Sequence, residues 1–329
     1  MKIINNILFI CVISTIMIFS SGCGKQKPTP LVYPKWYNMV KQDTTIFYYG
    51  TGEGRTKKDA VTNALNEVAS KISVSIQSSF SSITTVDRGG DKANYIKHIT
   101  NNVQNKVKKI EFSSYKVLNF KMLTPSKYVA LVSVNRLENA QMMLDKIDTD
   151  IEKYNQILNS KRLNIATRLK EYMKISDTID KELLPNCFIV KSLNDSGDTD
   201  GSINKLLNIK VKIDNFKNSL AFNIVGNNIS GYKEIISEML TQKRLTVSSR
   251  ADIYIKLNIK EQNINSLGYY IKKSKVIISI VSNNKIVATK VIVAGGKSLA
   301  SYTQAKEFAL NNFKAKMEKN KVLKELLGI

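Results

Sequence analysis

IFYYGTGEGRTKKDAVTNALNEVASKI, residues 46–72, changes its period once, and that change sorts the fold. Ile46-Phe47-Tyr48-Tyr49 is a short aromatic run that reads as a strand. Gly50-Thr51-Gly52-Glu53-Gly54 reads as a flexible turn. Thr56 then has the character of a helix N-cap, with Asp59 three residues on to return the hydrogen bond. Ala60, Val61, Ala64, Leu65, Val68, Ala69 and Ile72 recur at helical spacing, so one stripe of this helix faces a core. A strand followed by an amphipathic helix, with more strands beyond, points to a sheet covered by helices.

Downstream, Ser73 to Val86 alternates small polar and β-branched residues and is predicted to be a strand. Asp87-Arg88-Gly89-Gly90-Asp91 reads as a turn and Asn94 to Lys109 as a helix. Phe112 to Met122 and Tyr128 to Val134 form an expected antiparallel pair through Thr124-Pro125-Ser126. A long helix follows over about 136–174, opened by Asn135 with Glu138 as a capping pair. In it Leu137, Ala140, Leu144, Ile147, Ile151, Tyr154 and Leu158 alternate spacings of three and four. That seam packs either on the protein's own domains, the favoured reading, or on a second chain. In the last third, Phe188 to Leu193, Leu206 to Ile213 and Leu220 to Val225 are candidate strands. Gly231 to Lys243 is a helix, Leu245-Thr246-Val247 a short strand, and Ile253 to Leu257, Lys275 to Val281 and Ile286 to Val293 are further strands. Ser301 to Lys319 closes the chain as a helix with Ala305, Phe308, Ala309 and Phe313 inward. Helix, several strands, helix gives an α+β fold with antiparallel or mixed sheets. The expected organisation is residues 35–135 and 179–329 as two small α+β domains, joined by a long helix over 136–178.

The amino terminus carries a different signal. Lys2 precedes an apolar run from Ile3 to Phe19, then Ser20, Ser21, Gly22 and Cys23. This is the layout of a secretory signal peptide, residues 1–22. A cysteine directly after the small residues resembles the bacterial lipobox, although Ser20 stands where that motif usually has Leu. The resemblance implies lipidation at Cys23 and cleavage before it, with palmitate among the acyl chains. Gly24 in the following position favours the outer membrane. Each buried acyl CH₂ contributes about 0.8 kcal/mol, so more than one chain gives a durable anchor. Residues 23–34 then read as a Pro- and Lys-rich tether.

Composition excludes several classes. Cys11 leaves with the signal and Cys23 is taken by lipid, so Cys187 remains alone and reads as a small buried hydrophobe. His98 is the single histidine and reads as a solvated surface residue. The net charge is +23, spread over both expected domains and carried mostly by Lys, without a dense basic run. An exported chain rarely meets nucleic acid. Anionic lipid, lipopolysaccharide or peptidoglycan are the better-matched partners for such a surface. The Gly50-x-Gly52-x-Gly54-Arg55 stretch sits where a phosphate loop would, and Arg55, Lys57 and Lys58 could hold an anion at the helix start. Its third glycine comes one residue early for the dinucleotide fingerprint, and no Walker ending follows. The competing reading is that the glycines permit a tight turn and close helix packing. No paired carboxylates, nucleophile–base set or metal-ligand spacing occurs, so no catalytic site, cofactor or metal is expected.

Pro34-Lys35-Trp36-Tyr37, then Tyr48-Tyr49-Gly50-Thr51-Gly52-Glu53-Gly54-Arg55, then Lys58-Asp59-Ala60 and Ala64-Leu65 through Ala69 resemble the LPP-twenty lipoprotein family. Residues 230–315 are weakly similar to the amino-terminal domain of TolB and the middle domain of FlgT. The resemblance implies a surface or outer-membrane lipoprotein without catalytic residues, and kinship to FlgP and FlgT implies assembly around the flagellar motor. The expected function is therefore a non-catalytic structural or assembly role through contacts with envelope proteins or other copies of the chain. The alternative is a binding module for peptidoglycan or lipopolysaccharide.

Overall fold

A computed structural model describes residues 30–86, 101–107, 110–160, 162–194 and 199–329, with side chains undescribed over 78–86. Cys11, Cys23, His98 and the turn expected over 87–91 lie outside the described residues.

A one-turn helix α1 (Lys35–Asn38) precedes β1 (Phe47–Gly54). Helix α2 (Lys57–Val86) follows, with a helical segment α3 at 101–107. Strands β2 (Tyr115–Thr124) and β3 (Lys127–Asn135) form the expected hairpin. β1 pairs with the far side of β3, giving an antiparallel sheet in the order β1-β3-β2. The glycine segment is not a turn, because all three glycines lie inside β1. Nor is Ser73 to Val86 a strand, since α2 runs through it. Ile72 and Ile76 lie one turn apart, both buried in the same core as Val103 and Val107. That burial outweighs the β propensity of the local sequence.

The expected long helix is two. Helix α4 (Arg136–Asn159) ends at Ser160, and Asn164 caps α5 (Ile165–Thr178) by accepting from the Thr167 N–H. Polar cap-forming residues at 159–164 offer the backbone a better exit than continuing the helix. Asn135 caps α4 through the Glu138 N–H, but the Glu138 carboxylate bonds Ser114 Oγ instead of returning to Asn135. A π-helical turn (Ile179–Leu183) leads into α6 (Leu184–Leu193), and α7 (Thr199–Ser219) follows. The strands expected at 188–193 and 206–213 are therefore helical. Their apolar residues pack on α4 around one core, and short apolar runs do not distinguish strand from buried helix.

The remaining elements are β4 (Ala221–Val225), α8 (Ser230–Gln242), β5 (Thr246–Val247) and three 14-residue strands, β6 (Ile253–Ser266), β7 (Tyr269–Ser282) and β8 (Lys285–Ser298). Helices α9 (Tyr302–Lys319) and α10 (Val322–Leu327) close the chain. The sheet order is β5-β4-β6-β7-β8, with β4 parallel to both neighbours and β6-β7-β8 antiparallel. The fold is thus α+β, with one antiparallel and one mixed sheet. Ser301 caps α9, and Ala305, Ala309 and Phe313 point inward as expected, whereas Phe308 is exposed. Buried apolar residues form two cores. One spans Tyr48 to Ile213 and unites the first sheet with α4, α6 and α7. The other runs from Leu220 to Ile329 and takes in Ala166 and Leu169 of α5. Among the described residues no helix is long and apolar enough to cross a membrane.

Candidate functional site: a docked tether and an open sheet edge

The glycines of β1 show why no phosphate enters there. A Cβ at Gly50 would lie 2.2 Å from the Ala64 carbonyl oxygen, and one at Gly52 2.2 Å from the Ala64 nitrogen. At Gly54 it would meet the Ala60 nitrogen at 2.3 Å. Side-chain direction alternates along a strand, so Gly50, Gly52 and Gly54 present one face, and α2 lies directly on it. The space that a nucleotide loop would leave for phosphate is filled by helix backbone. Of the two readings of this motif, close helix packing holds. Thr56 and Asp59 exchange reciprocal hydrogen bonds of 3.1 Å and fix where α2 begins.

Where the tether meets the fold, four side chains interlock. The Tyr33 ring stacks on Tyr37 with centroids 5.0 Å apart. Lys127 Nζ donates to Tyr33 Oη at 2.7 Å and pairs with Glu53 Oε2 at 2.8 Å, and Tyr37 Oη donates to Glu53 Oε1 at 3.1 Å. Burial and the adjoining carboxylate push the Tyr37 phenol up to about 12. Burial works against ionised Glu53, but hydrogen bonds from Lys127, Tyr33 and Tyr37 outweigh it and hold the carboxyl below its ordinary value. Hydrogen bonds to Glu53 and Tyr33 raise the Lys127 ammonium. Leu31 and Val32 are exposed, whereas Tyr33, within the expected tether, is held by Lys127. Neither Tyr33 nor α1 carries a sequence signal for this contact, because the partners Glu53 and Lys127 are distant in the chain.

On the other side of β3, β2 is an edge strand exposed along nearly its whole length. Tyr115, Val117, Phe120 and Met122 pair in register with Val134, Val132, Ala130 and Tyr128, so they share the α2 face of the sheet. All four are exposed, with Met122 at 55%. Phe120 stacks on Tyr128 at 5.7 Å, and Lys57 Nζ sits 4.9 Å from the Phe120 ring centroid. Lys116 and Lys121 occupy the opposite face. Among the described residues no strand pairs with the outer side of β2, and such an edge beside an apolar strip is the template for adding a strand from another chain.

Cys187 is fully buried in α6, and burial pushes its thiol up to about 12, out of the reactive range. An open cleft of about 430 Å³ lies among Lys170, Lys174, Asp177, Lys181 and Lys324. There burial opposes ionisation of Asp177, but Lys181 and Lys324, each 2.8 Å away, hold its carboxyl below the ordinary value. This is a surface ion-pair cluster joining α5 to α10. Among the described residues no group of His, Cys, Asp and Glu could hold a metal ion.

No protein family and no curated protein matches the chain. Among solved structures it is similar to the secreted protein HP1454 from Helicobacter pylori, at 15% identity and a TM-score of 0.44. That likeness covers 83% of this chain and 97% of that one. It is also similar to a minor lipoprotein from Acinetobacter baumannii, at 12% identity and a TM-score of 0.26 over 30% of this chain and 88% of that one. Both likenesses are remote.

Proposed function

We propose that this chain is a lipid-anchored envelope protein with a non-catalytic assembly role, held to the outer membrane through Cys23 and engaging a partner protein along β2. The observation that carries the reading is the open apolar edge of β2. The lipobox-like end at Cys23 supplies the membrane, and the clasp at Tyr33 ties the anchor to the sheet that presents the edge. The partner is a different envelope protein with an extended acidic segment. Pairing two copies of β2 antiparallel near its midpoint brings Lys116 and Lys121 together, and like charges opposed across strands are unfavourable. The same lysines discourage indiscriminate edge pairing. A flagellar association would be the finer form of this reading.

Two experiments test it. Radiolabelled palmitate should enter the native chain and not Cys23→Ser, and equal membrane recovery of both without label would end the lipoprotein part. A photocrosslinker at Asn119 should give one discrete adduct in cells, abolished by Phe120→Lys with Met122→Lys, while the purified mature chain stays monomeric. Adducts unchanged by those substitutions, or none at all, would remove β2 as the contact.

A further inference from the structure

The last third of the chain carries an unusual charge pattern that the β2 edge does not explain. Residues 262–306 contain seven Lys and no Asp, Glu or Arg. The fold sorts these cations by face. Towards the core, Ile253, Ile255 and Leu257 of β6 join Val276, Ile278 and Ile280 of β7 beneath α8 and α9. Lys272 on that side is neutralised by Glu261 at 2.7 Å.

The opposite face is open. It carries Lys256 and Lys260 from β6, Lys273 and Lys275 from β7 and Lys297 from β8, all exposed. No carboxylate on these three strands shares the face. Among the described residues no acid pairs with any of the five lysines. Lys260 and Lys275 are direct cross-strand partners. Opposed like charges destabilise a sheet, so this arrangement weakens the fold where a single acid would have strengthened it. A local cost with no structural return is the pattern expected at a functional surface.

The face is also apolar between its cations. Val291 and Val293 are 46% and 55% exposed. Lys297 Nζ lies 3.4 Å from the Tyr269 ring centroid. At the β6–β7 turn Leu267 is 94% exposed and adopts φ 51°, a left-handed conformation that a branched apolar residue rarely takes. Lysines among exposed aliphatics and tyrosines, with a leucine projecting at the turn, match an anionic bilayer: charge for headgroups, apolar surface for the region beneath them.

We propose that this lysine-bearing face of the β6-β7-β8 sheet, with Leu267 at its tip, docks onto an anionic phospholipid bilayer. It gives the chain a membrane contact of its own besides any lipid at Cys23, and it is independent of the β2 edge.

The test uses the chain from residue 24 onward, which lacks the acylation site and keeps every described residue. Vesicles of phosphatidylglycerol and phosphatidylcholine in equal parts should sediment it, pure phosphatidylcholine should not, and salt should release it. Two variants separate binding from folding. Lys260→Glu turns the opposed lysines into an opposite-charge pair, and Leu267→Asn places a residue that accepts the left-handed backbone. Both should keep or raise thermal stability while lowering vesicle partitioning, together by about tenfold or more. Equal sedimentation by charged and neutral vesicles would overturn the proposal, as would variants that bind like the parent. Retention on peptidoglycan sacculi without vesicle binding would also overturn it and move the face to an anionic polymer.

Discussion

Single residues show the fold's tightest tolerances. Gly52 faces the α2 backbone at a distance that leaves no room for a methyl group, and backbone cannot rotate aside. Gly52→Ala should cost about 3 kcal/mol by overpacking, read from the urea midpoint. Arg136 holds three segments at once. Its guanidinium donates to the carbonyls of Thr44, Ser192 and Leu193 and lies 4.4 Å from the Tyr48 ring centroid. Two of those carbonyls, Ser192 and Leu193, end α6, where no intrahelical N–H reaches them. Arg136→Ala should cost about 2 kcal/mol, and Lys should not restore it because one ammonium cannot reproduce the fork. The clasp gives a pH dependence. The Glu53 carboxyl is depressed in the folded chain, so its contribution is present above the ordinary carboxylate range and lost as pH falls through the folded-state value. The Lys127 ammonium is raised, so its share is present below the ordinary lysine value and lost at higher pH. Trp36, the single tryptophan, sits in α1 beside the clasp. Its emission should shift to the red on acidification, and Glu53→Gln should remove that transition. An emission that ignores acid in the native chain would disprove the coupling. Of this site, the sequence showed the Thr56 cap, whose cause is local. It could not show the clasp, whose four members come together only when β3 pairs with β1.

Elements were legible where one period was strong. The β2–β3 hairpin, α8, α9 and the strands of the second sheet stand near their expected places, and the three long strands extend well beyond their apolar centres. The helices read as strands share one cause. Residues 73–86, 188–193 and 206–213 are short runs rich in Ile, Val, Leu or Ser that suit either a strand or a buried helix, and packing on a neighbouring helix decided them. The seam of α4 was correctly readable as a stripe, and its partner is the chain itself. Ala140, Ile147, Ile151 and Tyr154 are buried, while Leu137 at the start is 43% exposed. Ile151→Ala should therefore cost about 3 kcal/mol, and Leu137→Ala should stay within about 0.5 kcal/mol, both by chemical denaturation. Similar losses at the two positions would mean that the seam does not face this core.

The whole molecule is joined through α5. Its Tyr172 and Ile175 belong to the first core, and its Ala166 and Leu169 to the second. Lys170 donates to the Glu325 carbonyl and Lys324 pairs with Asp177, tying α5 to the carboxyl-terminal helix. Unfolding should be one transition, because neither core can lose α5 alone. Trp36 fluorescence reports the clasp on the first sheet and far-ultraviolet dichroism the helices and strands of both parts, so their denaturation curves should coincide. Separate midpoints would show two independent units.

Alone, the sequence determined what depends on neighbours in the chain: the α+β class, the helix caps at Thr56 and Asn135, and the closing helix. Their causes are periodicity and side chains that bond the backbone within a turn. Tertiary structure alone decided what depends on distant partners: that three glycines become strand to admit a helix, that two apolar runs become helices around one core, and that five lysines gather on one face without an acid. Those outcomes follow from strand register and core packing, which bring together residues whose spacing in the chain carries no mark of their meeting.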